Sequence, residues 1–355
     1  MALTLADGPL GPPWQNPLHG GLDRLHVRSD ALADNPLGDP LVRPLYVYRT
    51  AGVRSLTEDP GAPAVPAVFV LQAFLNQADR WFNRDVFTPT VFEALDSLSR
   101  DGALAPCVIV FVDAWTSLGG AQFINSPGVG NYADYLCDEV VPFIDAQYPV
   151  IDGPEGRGLA GHSSGGYGAM VNAMLRPDRF GAFSSRAGDA LFEVSMAPDF
   201  PAAAKVLRDR FDGSMETFVA EFAAADRFEY RRFGLLLTLY AAAAAYSPGP
   251  DGRPELPFDP RTGQTLPDVF ARWLAWDPVH LAARHADALA GLCHVHLEAG
   301  RADEANLDLG AQAMSDELTR LGVTHSFELF EGGHGGGAHR LPVAIAAMVR
   351  ALASR

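Results

Sequence analysis

The sequence predicts an α/β fold, with a mostly parallel central sheet, helices on both faces and a helical insertion capping one edge. Strand-like and helix-like segments alternate through most of the chain, the pattern of a sheet built from strand–helix–strand units. Several strand candidates are unbroken apolar runs, Val68-Phe-Val-Leu71 and Val108-Ile-Val-Phe-Val112 being the clearest. Strands covered on both faces read this way because neither side meets water. Residues 190–290 interrupt the alternation with alanine-rich and aromatic helical patterns and no convincing strand.

Taken in order, residues 1–40 are rich in Gly, Pro and Asn and read as an irregular lead-in packed over the domain. The strand candidates that follow are Arg43–Arg49, Ala67–Leu71, Val108–Val112, Gly158–His162, Ala182–Arg186, His294–Glu298 and Ser326–Phe330. A helix is expected over Asn131–Tyr148, with apolar Tyr132, Leu136, Val140 and Phe143 on one side and Pro149 ending it. Within the insertion, Thr217–Phe228, Leu235–Tyr246, Leu266–Leu274 and His280–Leu289 carry helical patterns, with a Pro/Gly/Asp loop over Ser247–Gly263. Leu341, Ile345, Met348 and Leu352 mark one face of a last helix. The expected division is a core of residues 41–189 and 291–355, with 190–290 as cap.

Composition narrows the function. The 355-residue chain is 48% hydrophobic and long enough to bury a sizeable core without staples. Its formal net charge is −16 with no basic run, so nucleic acid and anionic lipid surfaces are not expected partners. Cys107, Cys137 and Cys293 show no disulfide framework or zinc spacing, and no apolar run is long enough to span a bilayer. Met1–Asp7 lacks the pattern of a secretion signal, so a cytoplasmic protein is expected.

The strongest chemical signal is Gly161-His162-Ser163-Ser164-Gly165, inside a run that passes from a strand candidate into a helix candidate. A nucleophile standing above a sheet needs a sharp strand-to-helix turn, where side chains two positions away would clash. The following helix points its N-terminus at the turn, so its dipole and free N–H groups face a developing oxyanion. Ser163 is the expected nucleophile; an ordinary glycine turn is the alternative.

The base and acid should follow in later loops, acid first. His334 sits in Glu331-Gly-Gly-His334-Gly-Gly-Gly, directly after a strand candidate and free to project to the sheet's carboxyl edge. His339, at the start of the last helix, is the reserve. Asp303 follows strand His294–Glu298, with Glu304 adjacent as the alternative and a helix N-cap as the plain structural role for either. His294, His296 and Glu298 alternate on one strand face as metal ligands might, but on a covered face such imidazoles more often bond to neighbours, and no metal is expected.

At these residues the chain resembles the putative-esterase (esterase D-like) family of α/β-hydrolases, which includes S-formylglutathione hydrolases, feruloyl and enterochelin esterases and the mycolyltransferase antigens. The resemblance covers about residues 40–190 and 290–350. It rests on Leu45-Tyr-Val-Tyr48, Tyr132-Ala-Asp-Tyr-Leu-Cys-Asp-Glu139-Val-Val-Pro142, Gly161-His-Ser-Ser-Gly-Gly-Tyr-Gly168, Arg176-Pro-Asp-Arg-Phe180 and Gly332-Gly-His334 with Arg340 beyond. It implies the α/β-hydrolase fold and the Ser163, Asp303, His334 assignment, and it adds a first oxyanion donor from the loop after Ala67–Leu71. There the family's usual His-Gly reads Gln72-Ala73, followed by Phe74, and the aromatic pair usual after the histidine is absent.

The expected chemistry is ester hydrolysis through an acyl-enzyme on Ser163, with the N–H groups of Phe74 and Ser164 at the oxyanion and no metal or organic cofactor. Gln72, Trp115, Gln122, His162 and Tyr167 are the expected substrate-contacting residues. The expected partner is a small-molecule ester, and a homodimer is an allowed assembly. An acyltransferase using the same intermediate is the main alternative; a peptidase and a non-catalytic binding protein on the same fold are weaker ones.

Overall fold

A computed structural model of the chain describes residues 17–83 and 87–354; residues 1–16 of the expected lead-in lie outside them. Eight strands form one sheet: β1 Gly21–Arg28, β2 Val42–Arg49, β3 Ala67–Leu71, β4 Val108–Val112, β5 Arg157–His162, β6 Ala182–Arg186, β7 His294–Gly300 and β8 Ser326–Phe330. Their order across the sheet is β1-β2-β4-β3-β5-β6-β7-β8. The pairs β1–β2 and β2–β4 are antiparallel, and every pair from β4 to β8 is parallel. This is an α/β fold with a mostly parallel sheet.

Alternation along the strands feeds two cores. Phe69, Val110, Leu159 and Phe183 face one side, whereas Val68, Ile109, Ala160 and Ala182 face the other. The second side is closed by α1 Val91–Arg100 and by Ile345, Met348 and Leu352 of the C-terminal helix Leu341–Ala353. A capping box fixes where α1 starts: Thr90 accepts from the Glu93 N–H, and Glu93 accepts from the Thr90 N–H.

The structure corrects the lead-in. Residues 21–28 form β1, which pairs with the whole length of β2. As the edge strand it is only partly buried, with Leu22 packed on one side of the sheet and Leu25 and Val27 on the other, and Asp23, Arg24, His26 and Arg28 break up its apolar signal. The helix expected over Asn131–Tyr148 is present but not uniform. It opens with a turn at Tyr132–Asp134, widens to a π-helix over Tyr135–Val140, and continues as α2 Val141–Gln147. Pro142 lacks an N–H and would crowd the carbonyl of residue 138 in an ordinary turn; the wider turn accommodates it.

Between β6 and β7 lie α4 Phe200–Arg210, α5 Met215–Ala223, α6 Tyr230–Tyr246, α7 Pro267–Leu274 and α8 Pro278–Ala282, with shorter helical turns, and no strand of the main sheet falls there among the described residues. The pattern expected over His280–Leu289 is split into α8, a 3-10 turn and a short helix. Phe200, Phe233, Tyr246 and Trp273 share a core with the sheet and with Tyr167 of α3 Ser164–Leu175, so the insertion is packed onto the sheet rather than hung from it. After it come α9 Leu307–Arg320 and α10, the C-terminal helix already given. No helix among the described residues is long and apolar enough to cross a membrane.

Candidate active site

Non-glycine residues with positive φ mark one edge of this sheet. Leu75 follows β3, Gln122 and Phe123 follow β4, Ser163 follows β5, Ala187 and Leu191 follow β6, and Asn306 follows β7. Among the described residues only Asp212 has such a φ elsewhere. Left-handed backbone costs energy for residues with a Cβ, and such strain gathers where loops are held for function. These are the loops at the carboxyl ends of the parallel strands, where α/β proteins build their sites.

Ser163 sits between β5 and α3 with φ 57° and ψ −127°. The turn closes only because its neighbours are glycines: a Cβ on Gly161 would overlap the Gly165 carbonyl, and one on Gly165 would overlap the Leu71 carbonyl. The Ser163 N–H is held by the Arg186 carbonyl at 3.0 Å.

Two later loops bring the other side chains to it. The β8 loop carries His334, whose Nε2 lies 3.1 Å from the Ser163 Oγ. Its Nδ1 lies 2.9 Å from Oδ2 of Asp303, on the β7 loop. The two loops are stitched together by the Ala302 N–H on the Gly332 carbonyl at 2.9 Å, and a Cβ on Gly300 would overlap that same carbonyl. The Asp303 carboxylate is out of solvent, whereas the His334 side chain is 30% exposed. Glu304 bonds elsewhere, accepting the His334 backbone N–H at 2.9 Å. His339 is exposed in the turn before α10.

The electrostatics follow from these contacts. Burial disfavours the imidazolium of His334, but the hydrogen bond and charge of Asp303, with Asp189 and Glu304 behind them, outweigh it and hold the pKa above 6.5. For Asp303, burial is outweighed by the same bond and charge and by backbone N–H groups, so its pKa lies below the ordinary carboxylate value. His162 donates to the His334 carbonyl at 3.0 Å. Burial, then Arg186 and His334, keeps His162 well below 6.5 and hence neutral at pH 7.

Around the turn, the Phe74 ring packs on Gly119 and Gly120, and the Leu75 N–H bonds the Gly119 carbonyl at 2.9 Å, fixing the β3 loop. The Phe74 N–H meets no acceptor among the described residues, and Ser164, first in α3, has no intrahelical acceptor for its own. Trp115 is half-buried, with its carbonyl accepting from Arg43 at 2.8 Å. Gln72 is buried, with its Nε2 bonded to the Asn76 carbonyl.

Tyr167 departs from expectation. It is wholly buried, packs against Phe192 and Tyr246, and donates its hydroxyl to the Trp276 carbonyl at 3.2 Å. It anchors α3 to the helical insertion instead of facing an open site. His296 is bonded to Ser326, and Glu298 to Arg340. The residue that sequence reasoning missed is Asp189, buried after β6 and near enough to His334 and Asp303 to perturb both charges. Its signal is slight: one Gly-Asp step after a strand.

Comparison with known proteins completes the description. Residues 58–343 match the family model described as Putative esterase. No curated protein sequence matches the chain. A solved ferulic acid esterase is 16% identical, with 95% of this chain and 100% of that one covered and a TM-score of 0.60. An S-formylglutathione hydrolase from Agrobacterium tumefaciens is 13% identical, covering 96% and 98%, with a TM-score of 0.54. MPT51 of Mycobacterium tuberculosis is 19% identical, covering 94% and 99%, at 0.50. At such identities these likenesses speak to the fold, a conclusion the strand order reaches independently.

Proposed function

The chain belongs to the putative esterase family and is a carboxylesterase-type hydrolase; from that premise we propose that it cleaves esters through an acyl-enzyme on Ser163. The observation that carries the reading is the unbroken hydrogen-bond chain Asp303–His334–Ser163, at 2.9 and 3.1 Å. In the proposed reaction the His334 Nε2 takes the Ser163 proton as Oγ attacks the ester carbonyl. Asp303 fixes the Nδ1–H tautomer and stabilises the imidazolium that forms. The carbonyl oxygen gains negative charge facing the N–H groups of Phe74 and Ser164, each such donor being worth on the order of 10²–10³ in rate. His334 then returns the proton to the departing alkoxide; in the second half it takes a proton from the water that attacks the acyl carbonyl and returns it to Ser163 Oγ as the acid leaves.

The cap supports a rigid-pocket version of this mechanism. Tyr167, Phe192, Tyr246 and Trp273 form one packed aromatic group joining α3 to the insertion, so the nucleophile's helix and the cap are held together.

The test is pre-steady-state turnover of p-nitrophenyl acetate. A burst of p-nitrophenol approaching one equivalent per chain, with an acetyl adduct on the Ser163 peptide after acid quench, is expected. A linear release with no adduct at any time would contradict an accumulating acyl-enzyme, and acyl transfer to hydroxylamine at unchanged total turnover would then decide whether the intermediate forms at all.

A further inference from the structure

Gln122, an expected substrate contact, meets Asp189, which is close enough to His334 to act on its charge, and neither has a step in the chemistry above. Gln122 comes from the β4 loop and is 8% exposed; Asp189 comes from the β6 loop and is 9% exposed. Both loops are pinned to α3, the helix that begins just after Ser163. Asn172 of α3 donates to the Phe123 carbonyl at 3.0 Å, and a Cβ on Gly168 would press on the Phe123 ring. On the other side, a Cβ on Gly166 would lie 3.0 Å from Gly188, next to Asp189. Strained backbone holds both: Gln122 and Phe123 have φ 58° and 54°, and Ala187 and Leu191 flank Asp189 at 45° and 54°.

The side chains touch each other only weakly. Gln122 Nε2 is 3.5 Å from Asp189 Oδ2, at the limit of a hydrogen bond. Two acceptors are left over. The Gln122 Oε1 is buried without a donor, at the same end of the amide that meets Asp189. Asp189 Oδ1 has no hydrogen-bond partner among the described residues. Burial pushes the Asp189 carboxyl up to about 6, opposed by His334 and Gln122, so it is mostly anionic at pH 7. A buried acceptor without a donor is costly, and the Gln122 Oε1 is one; the Asp189 carboxylate, close enough to His334 to act on its charge, adds a second unpaired acceptor that is not closed off from solvent. What satisfies both is a group rich in O–H or N–H donors. The formal charge of −16 over the chain favours the approach of neutral or cationic molecules over anionic ones.

We propose that Gln122 and Asp189 form a donor-recognising wall of the ester pocket, and that the enzyme selects esters bearing a hydroxyl or ammonium group a few bonds from the scissile carbonyl. The inference rests on the acyl-enzyme reading and goes beyond it by naming the substrate class. Such a site rejects an isostere lacking the donor because its own polar groups are then buried unpaired.

Isosteric ester pairs test it, with acid release followed by titration. Methyl 3-methylbutanoate is compared with methyl 3-hydroxybutanoate and methyl 3-aminobutanoate. On the alcohol side, 3-methylbutyl acetate is compared with 2-(dimethylamino)ethyl acetate. The expected result is a preference in kcat/KM of at least about 10-fold for a donor-bearing ester over its apolar partner. Gln122→Met should bring that ratio towards one, in protein shown to be folded by its melting curve. Asp189→Asn separates the two donor types: it should abolish an ammonium preference and leave much of a hydroxyl preference. Ratios within two-fold for every pair, no turnover of any ester, or a preference that survives both substitutions would overturn the proposal. Fluorophosphonate labelling of the wild-type chain keeps the two levels apart. Labelling at Ser163 without donor preference sinks this inference alone, and absence of labelling sinks the reading beneath it.

Discussion

His162 and His334 are joined twice. The ring of His162 lies beside that of His334, centroids 4.6 Å apart and 36° from parallel, and its Nε2 donates to the His334 carbonyl at 3.0 Å. A residue adjoining Ser163 thus holds the backbone of the proposed base, while Glu304 holds the His334 N–H from the other side. The imidazole's position is therefore set at three points: the ring by Asp303, the N–H by Glu304 and the carbonyl by His162.

Replacing His162 by Phe keeps the ring contact and removes the hydrogen bond. One such bond is worth about 1 kcal/mol net, so kcat should fall about 5- to 10-fold. KM should change little if His162 acts by positioning His334, as its contacts support, and not as the substrate contact that sequence suggested. Steady-state kinetics on a soluble aryl ester checks the split; a rise in KM with unchanged kcat would mean that His162 contacts substrate instead.

The pH dependence has a definite sign. His334 must be neutral to accept a proton, and its pKa in the folded protein lies above 6.5, chiefly because Asp303 overcomes burial. Activity should therefore rise with pH, with its half-maximum on the acid side above 6.5. Asp303→Asn removes the bond and charge that raise the pKa, so the limb should move to lower pH. It should also cost on the order of 10⁴ in kcat, since the wrong tautomer is then favoured. A kcat/KM profile from pH 5 to 9 on both proteins measures the shift.

Two glycines of β5 should respond very unequally to alanine. A Cβ on Gly161 meets the backbone of Gly165, which cannot yield without opening the turn. Gly161→Ala should lose more than about 3 kcal/mol and nearly all activity. A Cβ on Gly158 presses instead on the Met348 sulfur, the far end of a flexible side chain. Gly158→Ala should cost no more than about 1.5 kcal/mol and leave catalysis intact. Urea unfolding of both variants tests the contrast.

How much of this was legible depended on how local each signal is. The turn at Ser163 is a local event, since the glycine spacing, the preceding strand and the following helix all lie within a score of residues, and all three appear in the structure. The central strands β3 and β4 were legible because burial on two faces leaves an apolar run without polar interruptions. The edge strand β1 escaped because it is only partly buried, so polar residues at Asp23, Arg24, His26 and Arg28 interrupt its few apolar positions. Sequence put Asp303 ahead of Glu304 without excluding the latter, because both follow β7; in the fold both bond His334, Asp303 at the ring and Glu304 at the backbone. Asp189 was invisible for a similar reason: its burial depends on loops distant in sequence that meet only in the folded chain.

The account stands on Ser163 being an activated nucleophile, and covalent labelling tests that most directly. The wild-type chain treated with a fluorophosphonate should gain one adduct, mapping to the Ser163 peptide. Ser163→Ala should gain none and should lose about 10⁶ in kcat. An adduct that persists in Ser163→Ala, or ester hydrolysis that survives the substitution, would contradict the mechanism.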